Sequence, residues 1–167
     1  RKFMMQSFGA KCHPSPSNIT DFGKKLLEEN PDNPGSLGIA ISDAIEAVVK
    51  SGGKAKYSLG SVLGHVLMHQ TINGNEAILQ MEQAGDYPDI IVGCTGGGSN
   101  LSGLMFPFLG QQLRGGQKID IIGCEPLSCP SFTKGKYAYD HGDMAKMTPL
   151  IKMHTLGSDF LPPANHS

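Results

Sequence analysis

The residues whose types and spacing best equip this chain for chemistry are Gly96, Gly97, Gly98, Ser99 and Asn100, inside the stretch IIVGCTGGGSNLSGL at 90–104. Three consecutive glycines let a backbone approach a ligand closely, and a hydroxyl and an amide follow at once. If a helix opens there, its first turn offers unpaired N–H groups and the positive end of the helix dipole. That is an anion site, and phosphate is its natural guest. Glycine-rich turns of this kind also occur without a ligand, so the residues alone leave both readings open. A P-loop would need Lys followed by Ser or Thr where Ser99-Asn100 stands, which argues against a nucleoside triphosphate. The dinucleotide fingerprint would need a small residue at Leu101, so a lone phosphate monoester fits better.

The elements that must carry this loop are legible on either side of it. Ile90, Ile91 and Val92 form a short β-branched run typical of a buried parallel strand. Beyond the loop Leu101, Leu104, Met105, Phe108, Leu109 and Leu113 recur at helical spacing, with Ser99 and Asn100 at the N-cap position. Leu59-Gly60-Ser61 makes a second junction of small residues, followed by the helical run Val62, Leu63, Val66, Leu67 and Met68, and Ser61 is expected to face the same anion. Asn73-Gly74-Asn75 is expected to interrupt that helix before it resumes over 76–83. A second strand covers 119–124 and ends in Glu125-Pro126.

Upstream, residues 3–8 read as a helix closed by Gly9, and 10–12 as the start of a strand. Thr20 caps a helix carrying Leu26 and Leu27, which the run Asn30-Pro31-Asp32-Asn33-Pro34-Gly35 breaks. Ser36 reopens a helix with Ile39, Ile41, Ala44, Ile45, Val48 and Val49 that ends at Ser51-Gly52-Gly53. Tyr57-Ser58-Leu59 is a short strand candidate. Strands alternating with helices over such connections predict an α/β fold: an open, mostly parallel three-layer sheet with helices on both faces. Residues 1–127 are read as this α/β region. Residues 128–167, rich in Pro and Gly and without sustained periodicity, are read as an extended segment wrapping the sheet within the same unit.

Composition narrows the function classes. The chain has 167 residues, a net charge of -1 and 39% hydrophobic residues, an ordinary balance for one domain. Lysines are scattered without interleaved aromatics, so nucleic acid is not an expected partner, and no apolar run approaches the roughly 20 residues of a membrane span. The 22 glycines point to close backbone approaches rather than a helical bundle. Cys12, Cys94, Cys124 and Cys129 lack paired CxxC spacing; Cys94 and Cys124, inside strand runs, are read as buried thiols in a reducing cytoplasm. His65 and His69 lie one helical turn apart and are read as packing histidines rather than zinc ligands. Asp140, His141 and Asp143 are read as solvated turn residues, Glu125 as a loop-ordering carboxylate, and Met144, Met147 and Met153 as packing residues. Both ends read as cut, since the first residue is Arg1 and the last residues complete neither a helix nor a strand.

The motifs taken together resemble the β subunit of tryptophan synthase, and within that family its second branch. The matching stretches are Gly9-Ala10, Pro34-Gly35-Ser36-Leu37-Gly38-Ile39-Ala40-Ile41-Ser42, Tyr57-Ser58-Leu59-Gly60-Ser61-Val62-Leu63 and Gly96-Gly97-Gly98-Ser99-Asn100. They continue through Glu125-Pro126, Tyr139-Asp140, Thr148-Pro149-Leu150 and the run from Lys152-Met153-His154 to Gly157-Ser158-Asp159-Phe160. The resemblance implies a fold-type II lyase dependent on pyridoxal 5'-phosphate that condenses L-serine with indole by β-replacement. It implies that Gly96, Gly97, Gly98, Ser99, Asn100 and Ser61 hold the cofactor, that Asp159 acts on closure, and that a monovalent cation lies near Gly96 and Phe160. A cytoplasmic homodimer, with an α subunit as a further partner, belongs to the same implication. The family's Schiff-base lysine, in a His-Lys-x-Asn motif, is expected upstream of Arg1, which would leave this stretch alone inactive; Ser158 stands where the second branch is expected to carry His. The other readings are a non-catalytic α/β phosphate-binding or interaction module and another fold-type II enzyme such as an amino-acid dehydratase.

Overall fold

A computed structural model describes residues 1–159, and the expected cation contact at Phe160 lies outside them. The chain forms two compact units, Ser58–Leu127 and a second made of Arg1–Tyr57 with Ser128–Ser167.

In the unit Ser58–Leu127, helices α4 (Gly64–His69), α5 (Thr71–Ala84) and α6 (Ser99–Leu113) accompany strands β1 (Ile90–Cys94) and β2 (Asp120–Cys124). The two strands pair in parallel, Ile90 opposite Asp120 through Cys94 opposite Cys124, as the α/β reading requires. One face of the pair is covered: Ile91 and Ile119 join Ile78 of α5 and Phe108 of α6 in a buried cluster, with Leu104, Met105 and Ile121 packed against it. Alternation along β1 turns Ile90, Val92 and Cys94 to the other face, where they are exposed. Cys94 and Cys124 are therefore exposed rather than buried, because among the described residues the helices lie on one face of these strands only.

The helix break falls at Gln70, between α4 and α5, and not at Asn73-Gly74-Asn75. Gly74 is buried within α5, where a Cβ would lie 2.3 Å from the Leu104 carbonyl, and one at Gly103 would lie 2.5 Å from Gln70 Cβ. The glycines that look like helix breakers instead let α4 and α5 press against α6. No strand forms at 10–12 or 57–59.

In the other unit, α1 (Lys2–Ser7), α2 (Asp21–Glu29) and α3 (Leu37–Lys50) accompany α7 (Ser131–Lys134) and the antiparallel strands β3 (Lys136–Asp140) and β4 (Ile151–Thr155). The region beyond 128, expected to be extended throughout, thus builds a short helix and a strand pair, whose aromatic residues Tyr137 and His154 stack across the ladder. Thr20 and Ser36 cap α2 and α3 as expected, accepting from the N–H groups of Gly23 and Ile39.

The face that α3 buries is more polar than its pattern predicts. Asp43 accepts from Ser15 Oγ at 2.6 Å, from the Ser17 N–H at 3.1 Å and from Thr20 Oγ1. Glu46 accepts from the first-turn N–H groups of Asp21 and Phe22 at 2.6 and 3.0 Å, and pairs with Lys50 at 2.6 Å. Two carboxylates of α3 thus hold the N-terminus of α2, where unpaired donors and the dipole favour negative charge.

Burial works to raise the Glu46 carboxyl, but the bonds from Lys50, Asp21 and Phe22 outweigh it and hold the group at about 2, below its ordinary 4.5. A carboxyl depressed on folding stabilises the chain above its ordinary value, and that contribution disappears as pH falls from about 4.5 to about 2. Urea midpoints measured across that interval should fall with pH, and Glu46→Gln should flatten the fall; an unchanged slope in the variant would refute the assignment.

Candidate functional site

The glycine loop sits at the carboxyl end of β1 and feeds directly into α6. The N-cap is Gly98, at φ 102, rather than Ser99 or Asn100, and Ser99 is the first helical residue. The left-handed turn that Gly98 makes is costly for side-chain-bearing residues, so the cap falls on the last glycine. No side chain caps α6, in contrast to α2 and α3. Its first turn thus carries N–H groups without a side-chain acceptor, at the positive end of a 15-residue helix.

Close approach between helix and strands is provided from the strand side. Gly93 and Gly123 are register partners, and a Cβ at either would meet the Leu101 side chain, at 2.7 and 3.1 Å. The small residue that a dinucleotide loop places on its helix is here replaced by a pair of strand glycines beneath a leucine. The Thr95 N–H donates to the Cys124 carbonyl at 2.7 Å, fixing the entry to the loop against β2.

Ser61 belongs to the junction before α4, 36 positions before Gly97 in sequence, yet the fold brings the two together. A Cβ on Gly97 would lie 1.7 Å from Ser61 Oγ and 2.8 Å from Val62 Cγ1. A side chain at this position would displace that hydroxyl or the loop itself. Gly96 and Gly98 face open space on the side a Cβ would occupy. Ser99 is buried and Asn100 exposed, so the two polar residues after the glycines are not equally accessible. The arrangement combines a partly buried hydroxyl, glycine backbone and uncapped helical N–H groups, all suited to an anion of tetrahedral oxygens.

Asp159, exposed at the end of the described chain, lies in the other unit. His65 and His69 are both exposed, not packed, and their rings meet edge to face at 6.0 Å between centroids. No group of three or more metal-binding side chains occurs among the described residues.

Asp143 is the sharpest departure from expectation: read as a solvated turn residue, it is 0% exposed. It accepts from Ser42 Oγ at 2.7 Å, from the Met147 and Thr148 N–H groups at 3.1 and 2.9 Å, and from Thr148 Oγ1 at 2.8 Å. Burial pushes its carboxyl up, and the bonds from Thr148, Ser42 and Met147 reverse that and hold it below its ordinary value. Asp43, Glu46 and Asp143 all escaped the reading of hydrophobic pattern. The available signal was the stripe Ser42, Asp43, Glu46 and Lys50 along one side of an otherwise apolar helix.

No helix among the described residues is long and apolar enough to cross a membrane. No family model matches the chain. Among curated proteins, the chain is 56% identical over 167 residues to tryptophan synthase beta chain 2 of Aeropyrum pernix, covering all of this chain and 37% of that protein. It is 58% identical to tryptophan synthase beta chain 2 of Thermotoga maritima and 54% identical to the tryptophan synthase beta chain of Pseudothermotoga lettingae. Each of these alignments also covers the whole of this chain, and 39% of the relative. The chain therefore spans less than two fifths of the length of these relatives.

Proposed function

We propose, from the premise that this chain belongs to the tryptophan synthase β-chain family, that its glycine loop holds the phosphate of pyridoxal 5'-phosphate in an enzyme joining L-serine to indole. The observation carrying this reading is the Ser61 hydroxyl set against Gly97 beside the uncapped first turn of α6. The residues present fit a phosphate monoester: Ser61 would donate a hydrogen bond, and the backbone of Gly96 and Gly97 with the first-turn N–H groups of α6 would supply further donors. Gly98 makes the left-handed turn into the helix, which Ser99 and Asn100 open. When bound, the pyridine ring supplies an electron sink for chemistry at the amino acid. The cradle would hold the cofactor by its phosphate.

Asp159 is proposed to act when the site closes over the substrate, as its place in the matched run implies. The full-length protein is proposed to work in the cytoplasm as a homodimer with an α subunit, a reading that follows from family membership. Because the chain spans under two fifths of its relatives, it is proposed to hold the phosphate without making tryptophan by itself.

Equilibrium dialysis of the chain against pyridoxal 5'-phosphate tests the reading. Saturable binding, weakened by inorganic phosphate and at least about tenfold weaker for pyridoxal, is the expected result. Equal binding of pyridoxal and its phosphate would overturn it. Inorganic phosphate binding as tightly as the cofactor would instead favour a plain phosphate-binding module.

A further inference from the structure

Cys94 and Cys124 end the two parallel strands as register partners, and both are exposed. Alternation along β1 places Cys94 on the outer face with Ile90 and Val92, and Cys124 stands beside it on the next strand. We infer that these two thiols form a cross-strand chelate for a soft, thiophilic centre such as trivalent arsenic or a zinc-group cation.

Geometry favours a bridged centre over a disulfide. Neighbouring strands lie roughly 4.8 Å apart, and in-register side chains on one face inherit that spacing. A disulfide needs its Cβ atoms about 3.8 Å apart, which would require the strands to be drawn together. The ladder resists this, because the strands pair over their full length and the Thr95 N–H bonds to the Cys124 carbonyl just beyond the pair. A centre with bonds to sulfur of about 2.3 Å at a tetrahedral angle needs its two sulfurs only about 3.8 Å apart. Rotation about each Cα–Cβ bond can bring the sulfurs to that distance without moving the backbone. The second sulfur then binds intramolecularly, where the gain over a single thiol is on the order of 100-fold or more.

Phenylarsine oxide is the probe. Its As=O group reacts with two thiols: two As–S bonds form, the oxygen leaves as water with both thiol protons, and no atom changes oxidation state. The 167-residue chain should take up one equivalent, resist displacement by millimolar 2-mercaptoethanol and release the probe to equimolar 2,3-dimercaptopropanol. Cys94→Ser and Cys124→Ser should each weaken retention at least about 100-fold, while Cys12→Ser should retain the probe like the parent. Should either serine variant fail to fold by circular dichroism, peptide mapping of the parent adduct decides: arsenic joining the peptides that hold Cys94 and Cys124 supports the chelate. Joining of any other pair, or retention by the folded Cys94→Ser chain equal to the parent's, would overturn it.

Discussion

Gly97→Ala is expected to weaken binding of pyridoxal 5'-phosphate at least about thirtyfold. The added methyl would sit 1.7 Å from Ser61 Oγ and 2.8 Å from Val62 Cγ1, so either the hydroxyl or the loop backbone must move. Forcing a methyl into a filled space costs about 1–3 kcal/mol, and a loss of about 2 kcal/mol corresponds to roughly thirtyfold in affinity. The penalty falls on binding because both displaced groups face the proposed anion. Gly64→Ala makes the comparison, since a Cβ there meets nothing within 4 Å and no positive φ is required. Equilibrium dialysis of both variants reads the difference. Affinity in the Gly97 variant within threefold of the parent would remove the loop from the cofactor site.

Asp143→Ala is expected to cost about 3–5 kcal/mol of stability, against a typical total of about 5–15 kcal/mol. The carboxylate is fully buried and binds Ser42, Met147 and Thr148 at once. Deleting it strands two backbone N–H groups, each costing about 1–3 kcal/mol if left unpaired, and removes the acceptor of the Ser42 hydroxyl. The Gly38 carbonyl remains as a second acceptor for that hydroxyl, which keeps the loss from rising further. Asp143→Asn keeps one acceptor oxygen and should fall between parent and alanine variant. Urea denaturation measures the order. An alanine variant within 1 kcal/mol of the parent would show that the buried carboxylate is dispensable.

Much of the site's framework was legible in the residues themselves. The β-branched run at 90–92, the glycine triplet and the helical spacing after it place β1, the loop and α6 in their observed order. Thr20 and Ser36 identify two helix starts because capping depends on residues within one turn. The cap of α6 lies one or two residues before the good capping types Ser99 and Asn100, since the choice of Gly98 depends on a backbone angle that residue type does not reveal. Gly74 looked like a breaker because the reason for a glycine there, the Leu104 carbonyl, lies on another helix.

By itself, then, the sequence determined the local alternation of strands and helices, the place of the glycine loop between β1 and α6, and the resemblance to tryptophan synthase β chains. These rest on periodicity, capping and contiguous motifs, which act over a few residues. Tertiary structure alone decided that Ser61 lies against Gly97, that Asp143 is buried beneath Ser42 from 101 positions away, and that Cys94 and Cys124 stand exposed side by side. Contact between distant residues and the burial of a charge depend on which surfaces the folded chain brings together, and no local pattern contains that information.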